Sequence, residues 1–223
     1  MTTVFHRNKL RCGQWVHVRS YRPMGRIIRY ALNAWESRLC VRLGVPPVQV
    51  WGNHDGLIIT PDIPHIGPPY GVCEALASGN IITPLDDYER GTAEVRIFEP
   101  LEGGDGAMFA ACVNWLAQVQ GDGYDYTALI GLALRAWWGC DVDTSERNHF
   151  YCTEGAAKAY RTQQPGLDLL QDPHVAPHHV EQAAGLIPRP IGRRTSLREV
   201  TASVAVERHS SPFGSIAILS PPA

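Results

Sequence analysis

Residues 150–160 read Phe150-Tyr151-Cys152-Thr153-Glu154-Gly155-Ala156-Ala157-Lys158-Ala159-Tyr160. Two aromatic residues and a cysteine lead directly into a run of strong helix formers, which predicts a helix over residues 153–161 with Cys152 at its start. Unpaired N–H groups and the helix dipole at such a position stabilise a thiolate, and they can also hold the oxyanion formed when sulfur attacks a carbonyl. The pattern fits a nucleophilic cysteine, and it also fits a buried thiol that only secures a helix start.

A cysteine nucleophile needs a base, and the chain has nine histidines. Most lie in loops or weakly patterned stretches, whereas His54 opens the strand-like run His54-Asp55-Gly56-Leu57-Ile58-Ile59. On a strand, His54 and Gly56 share one face, and a glycine there leaves room for another backbone or a substrate. We therefore take His54 as the candidate base, with a purely structural strand histidine as the alternative.

A third residue is suggested by the short run Val72-Cys73-Glu74-Ala75. A carboxylate in an apolar strand needs a partner to offset its desolvation, and an imidazolium is a good one. Cys152, His54 and Glu74 would then follow the triad logic of nucleophile, base and orienting group.

The order of predicted elements is one helix, then several short strands, then further helices. This segregation favours an α+β domain with a mostly antiparallel sheet packed against helices. The predicted strands cover residues 13–18, 48–60 (broken near 52–53), 72–75, 81–83 and 93–98, and the predicted helices cover 24–44, 108–119, 126–138 and 153–161. Residues 177–184 fit one or two helical turns, and the tail has short alternating runs at 203–206 and 215–219.

Taken together, these segments resemble the circularly permuted branch of the NlpC/P60 papain-like hydrolases. That branch includes the bacterial YiiX/YebB-like cysteine peptidases and is related to lecithin:retinol acyltransferases. The matching segments are His54-Asp55-Gly56-Leu57-Ile58, Glu74-Ala75, Tyr124-Asp125 and Tyr151-Cys152-Thr153-Glu154. The resemblance covers about residues 12–190.

The resemblance implies a permuted papain-like fold over residues 1–190, with residues 191–223 as a C-terminal tail packed on the same domain. It implies Cys152, His54 and Glu74 as catalytic residues, and neither a cofactor nor a metal. Thr153, Tyr151 and Tyr124 are the candidates for the oxyanion or substrate side of the site.

The sequence departs from the family pattern at three places. Asp55 stands where a hydrophobic residue is usual. Its side chain should point to the opposite strand face from His54, and one interpretation is that this face is exposed to solvent. Gly155 stands where leucine is common, and residues 61–71 form an insertion between His54 and Glu74. Asp62 and Asp87 therefore remain alternatives to Glu74 as the third residue.

By resemblance, the substrates would be peptides of the bacterial cell wall, cleaved by an endopeptidase or amidase. The protein would then be an antibacterial effector, a phage enzyme or a hydrolase of imported fragments, with an immunity protein or delivery machinery as partners in the first case. One alternative is a lipid esterase or acyltransferase with the same nucleophile, in which Trp137, Trp138 and residues 132–134 line an acyl site. A non-catalytic binding module of the same fold is another.

Composition excludes several other classes. The 20 Lys and Arg against 22 Asp and Glu leave a net charge of −2, which argues against a nucleic-acid partner. No apolar run reaches the roughly 18 residues that span a bilayer. Residues 1–11 are not followed by an apolar run, so we expect no signal peptide, a cytoplasmic location in the producing cell, and a non-classical route if the target is a periplasm.

The sequence contains no metal-binding or phosphate-binding motif that would suggest a different function. None of the six cysteines forms a CxxC pair. Residues 141–145 resemble the start of a calcium loop but lack its glycine and its final glutamate. No glycine-rich phosphate loop is present in the sequence.

Overall fold

A computed structural model describes residues 2–64, 67–91, 93–118, 123–140, 149–161, 163–164, 167, 175–190, 193–200 and 203–206. The strands in these residues are β1 (Thr2–Phe5), β2 (Trp15–Ser20), β3 (His54–Ile59), β4 (Gly71–Leu76), β5 (Gly79–Pro84), β6 (Ala93–Pro100), β7 (Gly123–Tyr124), β8 (His149–Phe150), β9 (Leu197–Val200) and β10 (Ser203–Val206). The helices are α1 (Pro23–Leu43), α2 (Leu85–Arg90), α3 (Gly104–Gln118), α4 (Tyr126–Trp138), α5 (Cys152–Arg161) and α6 (Pro177–Ala183), and Arg7–Lys9 form a 3-10 turn.

A six-stranded sheet is the centre of the fold. Its strand order is β5-β4-β3-β2-β6-β9, and every neighbouring pair is antiparallel. Two small pairings complete the described sheets, antiparallel β1 with β10 and parallel β7 with β8. The predicted α+β class, with a largely antiparallel sheet against helices, is confirmed.

Both faces of the sheet are buried, because successive strand residues alternate between two cores. Trp15 and Leu57 belong to the core under α3 and α5, where Trp15 stacks on Tyr160 with ring centroids 5.9 Å apart. Their neighbours Val16 and Ile58 face the opposite core, which α2 and β1 cover. Strand β3 is therefore flanked by packed side chains on both sides.

α1, α4 and α5 begin and end within one residue of their predicted limits, whereas α3 begins four residues before its predicted start at 108. α1 ends at Gly44, whose φ of 67° is the left-handed conformation that glycine tolerates best. α4 begins at Asp125, whose side chain accepts a 2.7 Å hydrogen bond from the Ala128 N–H.

The predicted strand over 48–60 begins only at His54. Residues 51–53 instead direct their backbone N–H groups elsewhere: Trp51 and Gly52 donate to the buried Glu181 carboxylate of α6, and Asn53 donates to the Val18 carbonyl. For Trp51 and Gly52, the carboxylate of Glu181 therefore takes the place of a neighbouring strand as the hydrogen-bond acceptor.

The predicted tail contributes to the sheets. β9 is the edge strand beside β6, and β10 pairs with β1. The alternating run at 215–219 lies outside the described residues, as do residues 141–145. Among the helices that the structure describes, none has the length and apolar character needed to cross a bilayer.

Candidate active site

Cys152 is the first residue of α5, in agreement with the predicted helix start. Its side chain is buried, and α5 packs against α3 and β3. The close approach to α3 depends on Gly155, because a Cβ there would lie 2.4 Å from the Trp115 ring. The glycine that departs from the family pattern therefore allows the helix carrying the thiol to sit where it does.

His54 and Glu74 meet across the β3–β4 pair. Gly56 is the register partner of Glu74, so His54, two residues away on the same strand face, is its diagonal neighbour. His54 Nε2 is hydrogen-bonded to Glu74 Oε2, and the close approach of β4 requires glycine at 56, because a Cβ there would lie 2.6 Å from the Cys73 carbonyl oxygen. Because Glu74 occupies Nε2, Nδ1 is the ring nitrogen left for the thiol.

The pKa of His54 is affected by both Cys152 and Glu74. Burial by itself lowers the His54 pKa, but the charge and hydrogen bond of Cys152 raise it, followed by those of Glu74. The net pKa lies well above the usual 6.5. The imidazolium is therefore the stable form of His54 beside the Glu74 carboxylate.

Glu74 is itself held by two hydroxyl groups. Thr83 of β5 donates to its Oε1, and Tyr88 of α2 donates to its Oε2 at 2.6 Å. Burial raises the Glu74 pKa, yet the His54 hydrogen bond and charge and the two hydroxyls bring the net pKa below 4.5. This carboxylate stays ionised although it is buried.

Neither alternative third residue reaches His54. Asp62 accepts a 2.9 Å hydrogen bond from Thr60, and Asp87 lies on the surface 3.3 Å from Arg90. Thr83 and Tyr88 were missed by sequence reasoning. Thr83 could have been found from the β4–β5 hairpin register, which puts it on the Glu74 face, whereas no local signal marks Tyr88.

A second polar network lies behind the start of α5. Asp55 is completely buried, so its solvent-facing reading is wrong. Its Oδ2 accepts from the Thr153 hydroxyl at 2.6 Å, and its Oδ1 accepts from Trp15 Nε1 at 2.9 Å and lies 2.7 Å from His17 Nδ1. Consecutive residues of β3, His54 and Asp55, thus hold consecutive residues of α5, Cys152 and Thr153.

The network continues through His17 to α6. His17 Nε2 lies 3.1 Å from Glu181 Oε1, so the ring is held between two carboxylates. Burial lowers the His17 pKa, but the charge and hydrogen bonds of Asp55 and Glu181 raise it to about 9. Gly52 is required beside it, because a Cβ at that position would lie 2.1 Å from the ring.

The three substrate-side candidates differ in whether their hydroxyl groups already have a partner inside the protein. The Thr153 hydroxyl is buried and donates to Asp55, so it has no hydrogen for an oxyanion, and it lies 3.8 Å from Cys152 Sγ. The Tyr151 hydroxyl donates to the Val175 carbonyl at 2.7 Å inside the protein. The side-chain hydroxyls of Thr153 and Tyr151 therefore both donate to partners inside the protein.

Tyr124 is the candidate that remains near the sulfur. Its ring is half-buried and 5.0 Å from the Tyr126 ring, and burial followed by the charge of Cys152 raises its pKa strongly. A neutral phenol close to the nucleophile can donate a hydrogen bond to a bound substrate.

Comparison with known proteins assigns the chain to no family. No protein-family model matches the chain, and no curated protein is significantly similar to it.

Proposed function

We propose that the protein is a cysteine hydrolase in which Cys152 is the nucleophile, His54 the proton shuttle and Glu74 the orienting carboxylate. The observation that carries the proposal is the position of His54, which is bound to Glu74 through one nitrogen and interacts with Cys152. Three residues from β3, β4 and the start of α5 meet there, as cysteine-nucleophile chemistry requires.

The reaction follows from these positions. The Cys152 thiolate attacks the acyl carbon of an amide, and the electron pair of the carbonyl moves to its oxygen. His54 donates its proton to the departing amine, leaving a thioester on Cys152. A water molecule then attacks the thioester while His54 takes a proton from it, and collapse of this second intermediate releases the acid and restores the thiolate–imidazolium pair.

The oxyanion in both steps would be held by N–H groups in the first turn of α5, which have no partner within the helix. Tyr124 would supply a further hydrogen bond from the substrate side. Since the Thr153 hydroxyl donates to Asp55, the helix start supplies main-chain donors and not this side chain.

For the substrate class, we propose peptide amide bonds of the bacterial cell wall. The support is the resemblance to the permuted NlpC/P60 hydrolases, together with a buried cysteine at a helix start packed against an antiparallel sheet that carries the histidine and the carboxylate. On this proposal the fold is the permuted papain-like one.

The test is incubation of the purified protein with peptidoglycan, followed by mass spectrometry of the released fragments. We expect peptide fragments from the wild type, none from Cys152→Ala or His54→Ala, and undiminished release from Cys140→Ala, which changes an exposed cysteine. EDTA should leave release unchanged.

Two results would contradict the proposal. Full release of peptide fragments by Cys152→Ala would show that Cys152 is not the nucleophile. Release of fatty acid from a lipid ester, with no peptide fragments, would keep the nucleophile and replace the substrate class.

A further inference from the structure

The outer face of α1 carries an unusual row of exposed apolar side chains. Met24, Ile27, Tyr30 and Val41 lie on the side of the helix opposite its buried residues, and Tyr30 and Val41 are 71% and 76% exposed. Apolar residues scattered singly over a surface are ordinary, but a row along one helix marks an interaction surface.

The last turn of α4 extends this row. Trp138 is 68% exposed, and its neighbour Trp137 is also exposed. The Arg38 guanidinium of α1 donates to the carbonyl of Trp137 and lies 3.5 Å from that of Arg135. The two tryptophans therefore adjoin the C-terminal half of α1, and we call the exposed side chains of α1 and the last turn of α4 the α1–α4 face.

The charge of these two helices is one-sided. Their five arginines are opposed by a single acidic residue, Glu36, which is buried and accepts a hydrogen bond from Gln182. Arg26, Arg38 and Arg42 are exposed beside the apolar row. The α1–α4 face is thus both basic and apolar, although the whole chain has a net charge of −2.

We propose that the α1–α4 face docks on an anionic lipid bilayer. Tryptophan and tyrosine partition to the boundary between lipid headgroups and acyl chains, and arginines beside them pair with anionic headgroups while their stems cover apolar surface. Arginine alone would suit any polyanion. A nucleic acid, however, offers no acyl layer in which to bury Ile27, Val41 and Trp138.

The docking face and the candidate site are tied together at one point. Asn53 precedes His54, and its amide donates to the carbonyls of Ser20 and Gly25 at 2.9 and 2.8 Å, which holds the beginning of α1 beside the beginning of β3. This contact lies on the buried side of α1, opposite the docking face. The proposal itself does not depend on the catalytic one, because the face contains none of the site residues.

The test is co-sedimentation of the full-length protein with vesicles of phosphatidylcholine alone or with 30% phosphatidylglycerol, a composition chosen to give the roughly physiological negative surface potential. We expect binding to the anionic vesicles, weakening with salt, and a blue shift of tryptophan fluorescence. Two variants should each lose at least about tenfold in affinity, Arg26→Glu/Arg42→Glu through charge and Ile27→Ser/Trp138→Ser through apolar contact.

Matched controls change the same residue types elsewhere. Arg90→Glu on α2 and Phe109→Ser/Val113→Ser on α3 alter exposed residues outside the face and should bind as the wild type does. Equal binding to both vesicle types, equal binding by the face and control variants, or a dimer that dissociates in Ile27→Ser/Trp138→Ser without any vesicle binding would each overturn the proposal.

Discussion

At the scale of single residues, the β3 pair His54 and Asp55 explains how a buried cysteine is held beside a base. His54 interacts with Cys152 and Glu74, while Asp55 accepts a hydrogen bond from Thr153 on the other face of the strand. Because the two side chains point to opposite faces, the helix start is fixed from both sides.

Replacement of Glu74 by Gln should lower turnover at least about tenfold without unfolding the protein, since the amide keeps the shape of the side chain and its oxygen can still accept from one of the two hydroxyls, Thr83 or Tyr88. Loss of the negative charge lowers the His54 pKa, because the Glu74 hydrogen bond and charge help to raise it. The alkaline limb of the kcat/KM–pH profile should therefore move to lower pH. Glu199→Gln, an exposed carboxylate on β9, is the control; an unchanged profile in Glu74→Gln would reassign the orienting role.

Replacement of Thr153 by Val should destabilise the protein by about 1–3 kcal/mol, because a buried Asp55 oxygen loses its donor. Thr153→Ser keeps the hydroxyl and removes one methyl group, which costs about 0.8 kcal/mol. Urea unfolding measures both variants, and the alkylation rate of Cys152 by iodoacetamide should fall more in Thr153→Val. Equal behaviour of the two variants would mean that the hydroxyl does not hold the helix start.

At the scale of elements, the contact between α5 and α3 sets the position of the nucleophile. Helix α5 carries Cys152 at one end and lies against Trp115 of α3 at Gly155, while Tyr160 near its other end donates to the Gly13 carbonyl at 2.5 Å. Contacts near both ends thus fix the position of α5, and a substitution at Gly155 should shift the Cys152 sulfur.

Gly155→Ala should destabilise the protein by about 1–3 kcal/mol, because the new Cβ would lie 2.4 Å from the Trp115 ring. Helix propensity alone predicts the opposite sign, a gain of up to about 1 kcal/mol. Gly106→Ala on α3 is the matched control, since a Cβ there meets nothing within 4 Å, and it should be neutral or stabilising. Thermal unfolding separates the two, and a stabilised Gly155→Ala would show that α5 does not press on Trp115.

At the scale of the whole molecule, the combined contribution of His17, His54 and His178 to the stability should be largest near pH 6.5. His17 and His54 have raised pKa values, so their contribution is complete below 6.5 and is lost as pH rises, through about 9 for His17. For His17 alone, linkage gives a loss of about 3 kcal/mol.

His178 acts on the other side of this maximum. Burial and then the charges of His179, Arg135 and His17 hold its pKa well below 6.5, so the folded state keeps it neutral. The unfolded chain binds that proton first, and stability falls as pH drops below 6.5. Burial raises the pKa of Glu36 to about 7, which lowers the stability as pH rises towards 7 and opposes the effect of His178. The alkaline side is therefore the diagnostic one: urea unfolding should give a free energy of unfolding that falls between pH 6.5 and 9, and a flat profile over that range would contradict the charged state of His17.

Much of the fold could be predicted because its signals are local. The apolar spacing of α1 and α4, the glycine after each of them and the cysteine at the start of α5 are all encoded within a few neighbouring residues. The strand of His54 and the apolar strand interrupted by Glu74 were equally visible, so the candidate catalytic residues could be named before their contacts were known.

Which partners these residues have was decided only by the tertiary structure. Glu74 and not Asp62 or Asp87 binds His54 because the β3–β4 register sets it diagonally opposite, and Asp55 is buried because α5 brings Thr153 to it across 98 residues of chain. Within the predicted tail, residues 197–200 and 203–206 form strands because the edges of β6 and β1 provide backbone hydrogen-bond partners for them. Sequence by itself determines which elements form, since their periodicity is local, whereas side-chain pairing across strands and helices depends on register and packing between distant segments, which no local pattern encodes.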